Sequence, residues 1–153
     1  MTIVAALLIG IVAGSRSMLA PAALAWGAKL GWIDLAPTWA GFMASGWALA
    51  IFSILALAEL VTDQLPSTPS RKTPPPFAAR IVSGGFTGAV LGALAALTVP
   101  GLAAGVVGAI AGTLGGAALR ARLAAAFGSD RPAAFLEDAA AIVLALVAVA
   151  AAA

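Results

Sequence analysis

Long apolar stretches with few charges constrain this chain more than any other feature. Only 9% of its residues are charged and 63% are hydrophobic, whereas about a quarter of the residues of a soluble domain are charged. The apolar residues form runs close to the roughly 20 residues that a bilayer-spanning helix needs. The sequence therefore predicts an all-α fold, a polytopic transmembrane helical bundle that is a single integral membrane domain over residues 1–153.

The apolar runs predict five spans, at about residues 2–30, 39–63, 78–99, 101–122 and 134–152. Arg16 interrupts the first of them, so that span is either continuous or broken and re-entrant around Gly14 to Arg16. Pro21 predicts a kink in it, because proline removes a backbone donor and clashes with the preceding turn.

The stretch from Glu59 to Arg80 holds most of the polar chemistry. Residues 64–77 within it contain Pro66, Pro69 and the triplet Pro74–Pro76, which predict an extended loop outside the hydrocarbon. Further along, Pro100 and Gly101 predict a tight turn between the third and fourth spans.

Basic residues are distributed unevenly among the connections. They cluster after the second and fourth spans: Arg71, Lys72, Arg80, Arg120, Arg122 and Arg131. The connections after the first and third spans carry one base and none. The positive-inside rule therefore predicts that the N-terminus and loop 64–77 are both cytoplasmic.

Glycines recur at four-residue spacing in the third and fourth spans. They are Gly84, Gly88, Gly92, Gly101, Gly105, Gly108, Gly112 and Gly116. Such strips expose bare backbone against which another helix packs closely. They predict a glycine-zipper hairpin of the two spans, with a homo-oligomer through one strip as the alternative.

Arg16 is the most informative single residue. Near the middle of a bilayer an arginine costs about 2.5 to 3.5 kcal/mol, so it needs a carboxylate, a bound anion or water. On a straight first helix it would lie about 21 Å along the axis, too deep to meet acids near the cytoplasmic face. Either the helix is broken, or Arg16 lines a cavity, or it snorkels to the other interface.

A ligand-binding or ion-pair cluster is predicted from the charged residues. Its members are Arg16, Ser17, Glu59, Asp63, Arg71, Arg80, Glu137 and Asp138. Glu59 and Asp63 share a helix face, which suits structural ion pairing or cation binding. Glu137 and Asp138 either complement a helix dipole or act as counter-charges to Arg16 or Arg120. The basic loop either fixes topology or holds an anionic lipid headgroup.

The composition argues against several kinds of site. The chain has no cysteine and no histidine, which removes thiol chemistry and the commonest metal ligand. No nucleotide-binding fingerprint is present, and a net charge of +2 does not indicate nucleic acid binding. We therefore predict no metal, no cofactor and no catalytic residue, with the lipid bilayer as the main partner.

Four separated segments resemble an uncharacterised bacterial membrane family, domain of unknown function 4126. They are GSRSMLAPAALAW, ELVTDQLPSTPSR running into PPPFAAR and SGG, GTLGGAALRARL, and LEDAAAI. The resemblance covers nearly the whole chain. It implies one compact domain in the bacterial inner membrane and supports Arg16, Glu59, Asp63, Arg71, Arg80 and Glu137 as site residues, but it implies no activity.

Three functions are consistent with these features. The first is transporter- or channel-like passage of a small solute or ion through a polar site. The second is a membrane scaffold or lipid-binding protein that acts through glycine-packed helices and the basic loop. The third is a lipid-headgroup enzyme with Glu59 or Asp63 as base and Arg71 or Arg80 on the phosphate.

Overall fold

Helices make up the fold in the computed structural model, which describes residues 1–64, 70 and 72–153. These residues contain no strand, so the all-α prediction is confirmed. The α-helices are α1 (Thr2–Ser15), α2 (Leu19–Lys29), α3 (Gly46–Thr62), α4 (Pro74–Ala93), α5 (Thr98–Phe127) and α6 (Asp130–Ala150), and a short 3-10 helix covers Gly41–Ala44.

The bundle is built around α5, which packs along both α1 and α4, while α6 closes over α1 and α5 and α2 lies between α3 and α6. At one end, which we call the cluster end, α1, α3 and α5 finish and α2, α4 and α6 begin. The opposite, far end holds Met1 and the turn between α4 and α5. The apolar core lies among α1, α2 and the last turns of α6, around Ile9, Leu24 and Val149.

The first predicted span is a hairpin of two helices. α1 has 14 residues and α2 has 11. α1 ends where Arg16 meets Asp138 of α6, and α2 ends where Gly27 packs on Val149, near the end of α6. The chain therefore reverses direction over residues 16–18, and a straight first span is wrong. α1 itself is continuous through Gly10 and Gly14.

Prolines begin helices here where the sequence predicted breaks. Pro74–Pro76 form the first turn of α4, and Pro21 and Pro100 lie in the first turns of α2 and α5. The extended path predicted at Pro74–Pro76 and the kink predicted at Pro21 were wrong, because the first N–H groups of a helix have no partner within it and proline removes nothing there. Pro66 and Pro69 lie outside the described residues. The turn between α4 and α5 accordingly lies at residues 94–97.

Glycines allow α1, α4 and α5 to approach one another closely. A Cβ added to Gly92 would lie 3.0 Å from the Cα of Gly101, and one added to Gly84 would lie 2.6 Å from the Cβ of Ala109. Gly108 and Gly112 instead face the backbone of α1, at Leu7 and Ile11. The predicted packing glycines from Gly84 to Gly112 are thus covered within the chain, whereas Gly116 lines a groove between α5 and α6.

Two described helices, α5 and α6, are long and apolar enough to cross a membrane, by length and composition. α1 and α3 are also apolar but are shorter than a helix that crosses a membrane. Five membrane spans are therefore not confirmed: residues 2–30 divide into two short helices, α3 is too short, and α4 is not among the helices that are long and apolar enough.

Met1 and residues 72–77 lie at opposite ends of the bundle. α1 runs in the same direction as α5, since Gly10 packs on Gly105 and Gly14 packs on Thr113. α1 therefore starts at the far end, whereas α4 starts at the cluster end. A shared cytoplasmic side for the N-terminus and loop 64–77 is therefore not supported. The prediction assumed that residues 2–30 cross the bundle once, whereas α1 and α2 run in opposite directions.

We predict that Gly105→Ala destabilises the fold. The added methyl group would collide with the carbonyl of Gly84, and overpacking of this kind costs about 1 to 3 kcal/mol, more than the roughly 1 kcal/mol that alanine gains in helix propensity. Thermal unfolding in detergent micelles measures the effect. Gly115→Ala on the same helix is the control, since nothing lies within 4 Å of its added Cβ. Equal melting temperatures for the two variants would contradict this packing.

Candidate functional site

A layer of charged side chains crosses the bundle near its cluster end. We call it the charged cluster. Arg80 lies about 9 Å along α4, and Arg120 and Glu137 lie about 10 Å from the cluster-end termini of α5 and α6, at 1.5 Å per residue. The cluster is therefore a level inside the bundle, below its end. The members are Arg16, Glu59, Asp63, Arg80, Arg120, Glu137 and Asp138.

Arg16 is the centre of the charged cluster and is fully buried. Its Nε donates to Oδ1 of Asp138 at 2.7 Å, and its Nη1 donates to Oδ2 of Asp63 at 2.8 Å. Its Nη2 lies 2.6 Å from Asp138 Oδ1, at an angle that does not make a hydrogen bond, and 3.5 Å from Glu137 Oε2. One guanidinium thus joins the end of α3 to α6.

The break between α1 and α2 places Arg16 there. Arg16 has an extended backbone, with φ −139° and ψ 102°, directly after α1. The last carbonyl groups of a helix lack partners within it, and here guanidinium groups supply them. Arg80 Nη1 donates to the carbonyl oxygens of Gly14, at 2.9 Å, and of Ser15. Arg16 Nη1 also donates to Ser15, and Thr113 Oγ1 donates to Gly14 at 3.1 Å.

Glu59 provides the complementary contacts at the start of α2. Its Oε1 accepts from the backbone N–H and the hydroxyl of Ser17, and its Oε2 accepts from the backbone N–H of Met18, each at 2.7 Å. A carboxylate at a helix start is favoured both by these unpaired donors and by the helix dipole. The hairpin tip, residues 16–18, is thus held by cations on its carbonyl side and an anion on its amide side.

Arg80 and Arg120 extend the charged cluster to α4 and α5. Arg80 Nη2 lies 3.5 Å from Asp63 Oδ2 and 3.9 Å from Glu59 Oε1. Arg120 donates to both carboxylate oxygens of Asp130, at 2.9 and 2.6 Å, and to Glu137 at 3.4 Å. Every α-helix except α2 therefore contributes a charged side chain or is followed by one, and α2 contributes its first amide groups.

The structure brings together most of the residues predicted for the site. Arg16, Ser17, Glu59, Asp63, Arg80, Glu137 and Asp138 all lie in or against the charged cluster. Arg71 lies outside the described residues. Arg16 does not snorkel to an interface. Glu59 and Asp63, the two acids of one helix face, share Arg80, while Glu59 also accepts from the amides of the hairpin tip and Asp63 from Arg16.

Several groups of the site are absent from the sequence prediction. Arg120 was considered only as a counter-charge for the acids of α6, although a lone base within an apolar run is the same signal that singled out Arg16. Ser83, whose hydroxyl donates to the carbonyl of Ser17, and Thr113 were not among the predicted site residues, because hydroxyls are common in such helices. Backbone carbonyls carry no sequence signal.

Over the part of the chain that the structure describes, no group of three or more His, Cys, Asp and Glu is placed to hold a metal ion. The carboxylates are instead distributed among guanidinium and amide donors.

Comparison with known proteins gives no relative: no family model, no curated protein and no solved structure matches the chain.

We predict that Arg16→Gln destabilises the protein severely. The substitution removes the buried cation that Asp63 and Asp138 share, and breaking a buried pair from one side costs about 3 to 5 kcal/mol. Thermal or denaturant unfolding in micelles measures the loss. Arg131→Gln is the matched control, because Arg131 is exposed and such surface changes stay within about 0.5 kcal/mol. Indistinguishable stabilities would refute the role assigned to Arg16.

We further predict that Glu59→Gln loosens the hairpin tip. The amide keeps one acceptor oxygen for three donors and loses the charge that strengthens these bonds, each of which is worth about 1.5 to 3 kcal/mol when one partner is charged. Hydrogen exchange at the amides of Ser17 and Met18, read by mass spectrometry, is expected to accelerate. Asp34→Asn, at an exposed loop residue, is expected to leave that exchange unchanged. Unaltered protection in Glu59→Gln would show that another group holds the tip.

Proposed function

We propose that the chain is an integral inner-membrane protein of the bacterial family that it resembles, and that it passes a small ion or solute through the charged cluster. The observation that carries the proposal is Arg16: a fully buried guanidinium at the tip of a helical hairpin, shared among carboxylates of α3 and α6.

The exposed surface supports a position in the bilayer. Large apolar side chains face outward on α3 and α6, for example Ile54 at 65%, Leu57 at 63% and Val143 at 61% exposure. Apolar patches of this kind on a protein surface mark contact with membrane or partner. Together with the lengths of α5 and α6, they favour a bundle that is embedded in lipid.

The hairpin of α1 and α2 supports a transport role within that bilayer. The two helices are about 21 and 16 Å long, each short of the roughly 30 Å of hydrocarbon that a span must cross. Their tip therefore reverses at membrane depth. Non-helical backbone is tolerated there only when protein or a water-filled cavity surrounds it, and transporters use such interrupted helices to bind substrates and coupling ions.

Energetics favour a functional over a purely structural role. Apolar side chains of similar volume often stabilise a protein as well as a buried ion pair does, or better. A layer with at least seven charged side chains is thus a costly way to hold helices together, and ionisable residues within a membrane domain are usually functional.

In this proposal the arrangement of these groups is a closed state. The guanidinium of Arg16 pairs with Asp63, and that of Arg80 lies near both Asp63 and Glu59. Both guanidinium groups also bind carbonyls of the hairpin tip. In this proposal the passing cation or proton replaces a guanidinium at the carboxylate of Asp63, while the bonds of Glu59 keep the tip on α3. In this proposal the cluster end faces the cytoplasm, since the bases of α4 and α5 lie there, and Met1 lies on the opposite side.

The other two functions fit the geometry less well. A scaffold that acts through its glycine strips needs those strips on the surface, but Gly88, Gly92 and Gly105 pack within the chain. A headgroup enzyme needs a basic group open to phosphate, but Arg80 is 5% exposed and its Nη1 is bound to the backbone of α1.

Flux measurements on purified protein in liposomes test the proposal. Ion-sensitive dyes for protons, sodium, potassium, magnesium and chloride form the panel, with osmotic swelling for neutral solutes. We expect flux of at least one species through the wild-type protein. Asp63→Asn is expected to lower it roughly tenfold or more, equivalent to about 1.4 kcal/mol, because an uncharged amide cannot take up the passing cation or proton.

Asp34→Asn is the control, since Asp34 lies in the loop before α3 and accepts only from the amide of Ala36 among the described bonds. Its flux should equal that of the wild type. Absence of flux for the whole panel, or equal flux in Asp63→Asn, would rule out passage through the charged cluster.

A further inference from the structure

A groove of about 500 Å³ runs between α5 and α6, with α1 as its floor. Its volume falls within the range of small-molecule pockets. The lining is almost entirely apolar, and small residues such as Gly112, Gly115 and Ala140 give it depth. The charged cluster lies beside the groove, and the transport proposal does not use the groove itself.

The groove is polar at one level only. Ser15, Arg120 and Glu137 line it on the side of the charged cluster. Arg120 and Glu137 carry opposite charges and lie 3.4 Å apart, so this part of the groove selects neither anions nor cations. Along the rest of its length the groove is lined by apolar residues.

The length of the groove matches one bilayer leaflet. Its α5 lining extends from Ala111 to Leu123, which is about 18 Å at 1.5 Å per residue. Half of a hydrocarbon core of roughly 30 Å is about 15 Å. Leu119 and Leu136, which line the groove, are about half exposed, so the groove is open to whatever surrounds the bundle.

We propose that this groove is a binding site for one acyl chain of a phospholipid, with the lipid headgroup toward the end where α5 meets α6. The inference rests on the membrane position within the proposed function and not on transport. The apolar walls exclude water along the chain, and the paired charges of Arg120 and Glu137 lie in the part of the groove nearer the headgroup.

Photo-crosslinking tests the site. The probe is phosphatidylcholine with a diazirine in one acyl chain, present at low fraction in phosphatidylcholine vesicles that contain the purified protein. A zwitterionic lipid is used because the groove shows no charge preference. Mass spectrometry is expected to find adducts on residues that line the groove, such as Gly115, Leu119 and Leu144.

Two filling variants and a control make the test specific. Gly115→Leu places a side chain in the groove, where nothing lies within 4 Å of an added Cβ, and Ala140→Leu fills it from the opposite wall. Each is expected to lower groove adducts roughly tenfold, equivalent to about 1.4 kcal/mol. Gly46→Leu, at another glycine with no neighbour within 4 Å, should leave them unchanged.

The outcomes distinguish failure of the acyl-chain site from failure of the proposed membrane position. Adducts on the outward residues Val143 and Val147 but none in the groove would overturn the acyl-chain site and leave the membrane position intact. No adduct on any helix would overturn both. A second copy of the chain in the groove would also overturn the inference. The variant Gly115→Cys tests this outcome: because the chain has no other cysteine, a disulfide-linked dimer after oxidation would show two copies meeting at the groove.

Discussion

The tip of the α1–α2 hairpin depends on charge that comes from other helices. Breaking a helix inside an apolar bundle exposes carbonyls at one end and amides at the other, and an unpaired buried backbone group costs about 1 to 3 kcal/mol. Arg16 and Arg80 satisfy the carbonyl side, and Glu59 satisfies the amide side. The signs agree with the helix dipoles, negative at the end of α1 and positive at the start of α2.

This requirement explains why the charges occur on different helices at one level. Once two guanidinium groups are buried at the tip, they need carboxylates, and those of Asp63 and Asp138 come from elements far apart in sequence. Glu137 then faces both Arg16 and Arg120. The site and the fold are therefore one structure: the residues proposed to pass an ion are also those that hold the hairpin in place.

Glycine packing makes this arrangement geometrically feasible. Backbone contact between α1 and α5 and between α4 and α5 brings the hairpin against the long helix, so that Thr113 reaches the carbonyl of Gly14. On the other side of α1, the small residues of α5 and α6 leave the groove proposed for an acyl chain. Close packing on one face and an open groove on another both follow from the same small side chains.

The sequence alone determined the helical class and the residues that needed partners. Composition and run length are local properties, and a lone arginine among alanines and leucines implies a counter-charge wherever the chain folds. Only the tertiary structure decided that residues 2–30 form a hairpin, that Pro74–Pro76 start a helix, and which carboxylate meets which guanidinium. Those outcomes depend on contacts between distant segments. A proline at a helix start and a proline in a loop look the same in sequence, and every residue has the same backbone carbonyl, so the sequence does not show which carbonyls need a partner.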